Sequence, residues 1–305
     1  MTSINTNNSA MAALQTLRSI NSNLNKTQNA VSSGFRIEKA SDNAAYWSIA
    51  TTMRSDDSAM SAVSDALGLG AAKIDTAYTA MDNAIDVVSS IKTKLVAATE
   101  DGVDKKKVQE EITQLQDQLL SVAQSASFYG QNWVAASGGG SASVVSSFVR
   151  DASGGVKVNS TSYAFSTGSA GNVLFGMNGT SVDTASGILG TAYDSASGFS
   201  VYNLDISNMT SGGVGDALSM VESALQAMTS AAAKLGSISA RIELQTSFTS
   251  DLRDSIQSGV GKLVDADMEA ESSKLSALQT QQQLAIQSLS IANSSSQNIL
   301  SLFRG

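Results

Sequence analysis

The sequence predicts a mainly α protein: long heptad-patterned helices, as a terminal coiled coil plus a helical bundle, with a small β-rich central insert. Three observations carry this. The 305 residues contain no Pro, where ordinary usage of ~5% would give about 15, and Pro inside a helix costs ~3 kcal/mol. Apolar residues recur every seven positions along both flanks. Between Ser137 and Gly213 that pattern stops: 14 of the 24 glycines gather there, and the only charged residues are Arg150, Asp151, Lys157, Asp183, Asp194 and Asp205.

At the start of the chain Ala10, Ala13, Leu17, Ile20, Leu24 and Val31 fall on one helical stripe, with Leu14 beside it. From Tyr46 the heptad runs through Met53, Met60, Leu67, Ile74, Met81 and Val88 to Leu95. Companions three positions on, among them Val63, Ala77, Ala84 and Ile91, are mostly small, and Asp56 alone breaks the pattern. This predicts one helix of roughly 80 Å, packed along its length. The small companions favour a multi-helix bundle. A second helix follows Asp101-Gly102, with Val108, Ile112, Leu115, Leu119, Val122 and Ala126 on one face.

Inside the insert, Val144–Val149 and Gly155–Val158 alternate between Gly and Ser boundaries, which is how strands joined by turns read. Tyr163, Phe165, Phe175, Phe199 and Tyr202 supply a small core there. The heptad resumes at Val214, Val221, Met228, Leu235, Ile242 and Ile256. Gly259 and Gly261 suggest a joint, with the last helix starting near Lys262. That helix carries Val264, Met268, Leu275, Leu278, Ala285, Leu289, Ala292, Ile299 and Phe303 on one stripe. Leu284, Ile286, Ile291, Leu300 and Leu302 broaden it to more than one apolar face. The division expected is 1–43 with 262–305 as a terminal coiled-coil domain, 44–136 with 214–261 as the bundle, and 137–213 as the insert.

Composition removes most chemistries. With no His and no Cys, His-based acid–base catalysis, thiol nucleophiles and zinc sites all fall, and no enzyme, metal or cofactor is expected. The net charge of −8 argues against nucleic acid, whose binding needs clustered positive charge. No apolar run approaches the ~20 residues of a membrane span, so no membrane insertion is expected. The first residues read as neither the basic start nor the apolar stretch of a cleaved signal peptide.

Several motifs are set aside. Gly68-Leu69-Gly70 lacks the following Gly of a phosphate loop and reads as helix packing. Asp265, Asp267, Glu269 and Glu271 do not converge on one ion; they suit the positive end of the last helix. Lys105-Lys106-Lys107 reads as a solvated run, and Trp47 and Trp133 as packing anchors.

An apolar face broader than one seam must be covered on more than one side. The two terminal helices could fold back on the bundle; the favoured expectation covers them with equivalent helices of other copies, since long exposed apolar patches mark assembly. Gln282 on the seam, with Asn293 nearby, would fix register between copies. On the same reasoning the first ~40 and last ~45 residues become helical only on assembly.

The termini carry a resemblance. The chain opens Ile4-Asn5-Thr6-Asn7, continues through Ala10, Ala13 and Leu14, then Ser32-Ser33-Gly34-Phe35-Arg36-Ile37, Ala40, Asp42, Ala44-Ala45 and Ile49-Ala50. It closes with 264–272, Val-Asp-Ala-Asp-Met-Glu-Ala-Glu-Ser, then Leu275, Leu278-Gln279, Ala292-Asn293, Gln297 and Leu300–Arg304. Over about 1–135 and 214–305 this resembles bacterial flagellin, and Phe128–Asn132 resembles the family's turn after its N-terminal helices. The resemblance implies a structural subunit that polymerises into the flagellar filament for swimming motility, with no enzyme activity. It also implies unfolded passage through the flagellar type III export apparatus, an export chaperone, hook-associated and cap proteins as partners, and an extracellular location. Other flagellins could share the polymer. The subunit-packing residues expected are Leu14, Leu17, Ile20, Leu24, Val31, Met268, Leu275, Leu278, Leu289, Ile299, Leu302 and Phe303. The alternative is a hook–filament junction protein, which shares the export route and the helical termini.

The resemblance also implies two segments sensed by host receptors. Residues 29–50 keep Gly34, Arg36, Ile37, Ala40 and Asp42, but Asn43 replaces an acid and Tyr46-Trp47 a small-plus-Leu pair. Around Ile91–Ala98 the Arg-rich family pattern is replaced by Lys92, Lys94 and Leu95. Both departures predict weak recognition.

Overall fold

Each long helix begins where a short polar side chain takes up its first free N–H groups, the usual N-terminal signal. The computed structural model describes residues 6–100, 102–151, 155–192 and 198–302, those from 295 onward by backbone alone. Helix α1 spans Asn8–Ser33; the Asn7 side chain accepts from the Ala10 N–H, and Gly34 at φ 76° closes the other end. Helix α2, Ala44–Ala98, starts at Asn43, whose Oδ1 accepts from the N–H groups of Ala45 and Tyr46. Helix α3, Lys105–Ser125, is capped by Asp104. Helix α4 is Ser211–Val264, and α5, Met268–Leu302, starts at Asp267, whose Oδ1 accepts from Glu269 and Ala270. Glu269 and Glu271 lie in its first turn, where they complement the helix dipole.

The expected joint at Gly259 and Gly261 is absent: α4 runs through both and breaks at Asp265–Asp267. These glycines serve close approach instead. A Cβ on Gly259 would meet Met53 Cε at 3.1 Å, and one on Gly261 would meet Asp265 Oδ2 at 2.8 Å. The last helix therefore starts at Met268, not near Lys262.

The chain forms two compact units, Met1–Ser58 with Arg253–Gly305, and Ala59–Leu252. In the second, the heptad stripe is the core: Leu67, Ile74, Met81, Val88 and Leu95 are fully buried, as are Val214, Val221, Met228 and Leu235. Ile112 and Leu119 bring α3 into the same cluster.

The 137–213 segment shares that core instead of building a separate one. Its Val144, Tyr163, Leu174, Phe175, Ile188, Leu189, Leu204 and Ile206 belong to the cluster formed by the helices. Its described residues carry two antiparallel strand pairs, β3 (Ser141–Arg150) with β4 (Val156–Ala164) and β5 (Gly176–Asn178) with β6 (Ser181–Asp183). A smaller hairpin, β1 (Ser127–Phe128) with β2 (Gln131–Asn132), precedes it. Its turn residues Tyr129 and Gly130 sit at φ 49° and 74°, the backbone a two-residue type I′ turn requires. Trp133 stacks on Tyr163 at 5.8 Å, Phe165 stands edge-on to both, and Phe175 meets Tyr202 edge-on at 5.4 Å. Burial pushes the Tyr163 phenol up to about 12, so it stays neutral in the fold through the physiological range.

Two aromatic expectations fail. Phe199 is 38% exposed and Trp47 37% exposed, so neither is a buried anchor, while Trp133 is one. Phe199 directly follows Gly198, a chain turn at φ 67°, and Trp47 sits in the first turn of α2, before its buried stripe begins.

Helix α3 holds the insert by side chain to backbone. The Gln116 amide donates to the carbonyls of Val201 (3.0 Å) and Leu204 (3.1 Å). Gln109 donates to Leu204 O and accepts from Ile206 N, and Lys105 Nζ donates to Met209 O. Gly70 lets strand β3 approach α2, since a Cβ there would collide with Val144 Cγ1. Within Gly68-Leu69-Gly70, Gly70 alone serves packing; a Cβ on Gly68 would meet open space and Leu69 is exposed.

Candidate functional site

The terminal unit is built around α1 and α5, which lie antiparallel. Asn7 Nδ2 donates to Ala292 O (2.9 Å), Gln282 Nε2 donates to Asn21 Oδ1 (2.7 Å), and Phe35 bridges Asp265. On α1, Ala10, Ala13, Leu17, Ile20, Leu24 and Val31 are half-buried, and Thr27 is buried. On α5 the matching stripe is Leu275, Leu278, Gln282, Ala285, Leu289 and Ala292, with Leu278 the most enclosed. Both stripes step three then four residues, the spacing of a coiled-coil seam.

The connections beside this seam form a latch. Arg36 and Ile37 N–H groups donate to Val264 O, and Ala266 N–H donates to Gly34 O. The Arg36 guanidinium adds a bond to Leu263 O (3.0 Å). Arg54 stands over the Phe35 ring, 4.9 Å from its centroid. Ile37, Ala50, Val260 and Val264 make a small core beneath, bordered by Phe35, Met53, Ile256 and Leu263. Arg253 Nε meets Asp57 Oδ1 at 3.0 Å, with Gln257 beside it.

Outside the seam lies the surface available to other molecules. Met11 (63% exposed), Leu14 (37%) and Ile286 (52%) occupy flank positions of α1 and α5. Leu284 (59%) and Ile291 (69%) fall on a different flank of α5, seven residues apart at one heptad position, two residues before that of Ile286. Met268 at the start of α5 is 44% exposed. The pair is therefore apolar on two outer sides as well as along its seam.

Of the sequence-predicted packing residues, Leu17, Ile20, Leu24, Val31, Leu275, Leu278 and Leu289 lie on the seam within the chain. Leu14 and Met268 lie outside it. The side chains of Ile299 and Leu302, and all of Phe303, lie outside the described residues. Gln282, expected to fix register between copies, bonds Asn21 of its own chain. Asn21 itself and Arg54 went unnoticed in the sequence; Asn21 stands immediately after the seam residue Ile20, and that adjacency was the available signal.

The residues compared with receptor segments are occupied structurally. Gly34 ends α1, Ile37 is buried, Asp42 accepts from the N–H groups of Glu38 and Lys39, and Asn43 caps α2. In the second unit, Lys92 pairs with Glu222, Lys94 pairs with Glu111, and Leu95 is fully buried.

Among the described residues no group of three or more His, Cys, Asp or Glu could hold a metal ion, and no helix is long and apolar enough to cross a membrane.

Residues 4–138 match the family model of the bacterial flagellin N-terminal helical region, and residues 218–303 that of the C-terminal helical region. The chain is 48% identical over 398 aligned residues to Flagellin A of Rhizobium meliloti. It is 52% identical over 320 to Flagellin C of Rhizobium meliloti (strain 1021), and 45% over 308 to a flagellin of Brucella melitensis biotype 1. Each alignment covers 100% of both chains.

Proposed function

The chain belongs to the bacterial flagellin family, a family of structural proteins, and from that premise we infer that it is a filament subunit that assembles with copies of itself. The observation that carries the mechanism is the two-sided apolar exposure of the terminal pair. One partner within the chain covers the seam and leaves Met11, Leu14, Leu284, Ile286 and Ile291 in water. Copies on either side cover both flanks, and a contact that repeats by a rotation that does not close builds an open helix.

The site assignment follows. Leu14, Met268 and Ile286 pack against neighbouring copies, while Leu17, Leu24, Leu275 and Leu278 hold α1 to α5 so that those flanks are presented together. The terminal helices order as the polymer grows, because burying the flanks offsets the entropy of fixing them. The lack of Pro suits a chain exported unfolded and folded at the growing end, where an isomerisation of tens of seconds would delay it. Export apparatus, chaperone and cap proteins are the partners this route requires, and the filament stands outside the cell.

Purified chain added to filament seeds is expected to extend them into long filaments visible by electron microscopy. Capping without growth would instead support the hook–filament junction reading, which none of the matched relatives favours. Weak sensing by host receptors follows from Asn43 and Tyr46-Trp47, and from the pairing of Lys92 and Lys94. A peptide of residues 29–50 with full potency in a receptor assay would refute it.

A further inference from the structure

The chain's one Asn-Gly pair, Asn178-Gly179, stands at the tip of the β5–β6 hairpin. The register sets Asn178 opposite Ser181 and leaves Gly179 and Thr180 as the turn. Gly179 sits at φ 64°, so glycine takes the first central position of a type II′ turn. Asn178, Gly179 and Thr180 are all exposed, and a Cβ built on Gly179 would meet nothing within 4 Å. Among the described residues neither the Asn178 side-chain amide nor the Gly179 N–H makes a hydrogen bond.

Every other asparagine of the 59–252 unit is tied at its own amide or at the N–H that follows it. The side chains of Asn132 and Asn172 donate to the carbonyls of Ala123 (2.6 Å) and Ala164 (2.8 Å). Asn159 donates to Ser147 Oγ at 3.2 Å, and Asn203 Oδ1 accepts from Ser200. Asn208 is exposed, but the Met209 N–H after it donates to Ile206 O. Asn83 lies inside α2, where the next N–H closes the helix ladder.

We propose that the folded chain deamidates itself at Asn178, ahead of the other asparagines of this unit, and so turns a neutral hairpin tip into a charged, permanently altered one. The Gly179 nitrogen gives up its proton and attacks Asn178 Cγ. The bond from Cγ to the amide nitrogen breaks, ammonia leaves, and a succinimide ring closes. Water then opens the ring at either carbonyl, leaving aspartate or, with the main chain rerouted through the former side chain, isoaspartate. Water is the sole co-reactant, and nothing is oxidised or reduced. Glycine leaves the attacking nitrogen uncrowded, since it has no Cβ. The attack needs Asn178 to rotate out of its extended backbone, and a hairpin of three residue pairs opens locally at small cost. Either product places a carboxylate on the hairpin face that carries Asp183. Isoaspartate also adds a backbone atom, which throws off the pairing of Met177 with Val182. Phe175, just before the strand, is fully buried, so the change ends at the tip. The proposal does not rest on the filament reading.

The test holds the purified full-length chain under native conditions in mildly alkaline buffer and samples it over time. Isoaspartate is counted by enzymatic methyl transfer from S-adenosylmethionine, and each converted asparagine is located by mass spectrometry after proteolysis. Asn178 is expected to convert at least about tenfold faster than any other asparagine of the unit, each of which is held back by a hydrogen bond worth up to about that factor. Asn178→Gln removes the methyl-accepting signal from this unit, because the longer side chain would have to close a larger, slower ring. If Asn178 stays intact in the native chain while it converts in urea, the hairpin shields the turn and the proposal fails. Conversion of another asparagine of the unit at the same rate or sooner overturns it equally.

Discussion

Leu14→Glu combined with Ile286→Glu stops filament growth from seeds. Both side chains already stand in water in the single chain, 37% and 52% exposed, so the substitution removes little from the folded subunit. Between copies it removes burial of the part of each side chain that the single chain leaves exposed, together worth about 1.5–3 kcal/mol. It also places two carboxylates where they lose water without gaining a partner. A loss of at least roughly 1.5–3 kcal/mol raises the critical concentration by about 10–10². The check is pelleting of seeded reactions over a concentration series, with thermal unfolding of the 59–252 unit as the control. Growth of the double variant at the wild-type critical concentration would remove these flanks from the interface.

Phe175→Ala destabilises the 59–252 unit by about 3–5 kcal/mol. Phe175 is fully buried, stands edge-on to Tyr202, and belongs to the same core cluster as Leu67, Val88 and Val221. For a unit of this size the loss lowers Tm by roughly 6–20 °C. The signal to follow is helical circular dichroism, because the claim is that insert and helices melt together. An unchanged helical transition would show that the insert folds on its own and that the shared core is not cooperative.

What could be read in advance follows from how local each cause is. The heptad from Met53 to Leu95 specified α2 closely, since periodicity and the lack of Pro act over every turn of an element that spans Ala44–Ala98. The strands were legible where Val and Ser alternate, and β3 and β4 extend those pieces to Ser141–Arg150 and Val156–Ala164. Gly259 and Gly261 misled because a helical glycine reads as a break until its neighbour is known; here the neighbours are Met53 and Asp265. Phe199 misled because hydrophobicity names candidates for a core but not which of them the chain turns inward. At the terminal pair the stripes were legible, yet the favoured expectation, coverage by helices of other copies, did not anticipate the seam that α1 and α5 form within the chain. That depends on contacts between residues as far apart as Asn21 and Gln282, which no local pattern encodes.

The latch has a consequence for any sensor of the 29–50 stretch. Gly34, Arg36 and Ile37 already commit backbone and side-chain bonds to Leu263, Val264 and Ala266, and Asn43 caps the start of α2. A sensor gripping that stretch must first prise it from Leu263 and Val264. The stretch is open to such a grip only where the bonds to Leu263 and Val264 are undone.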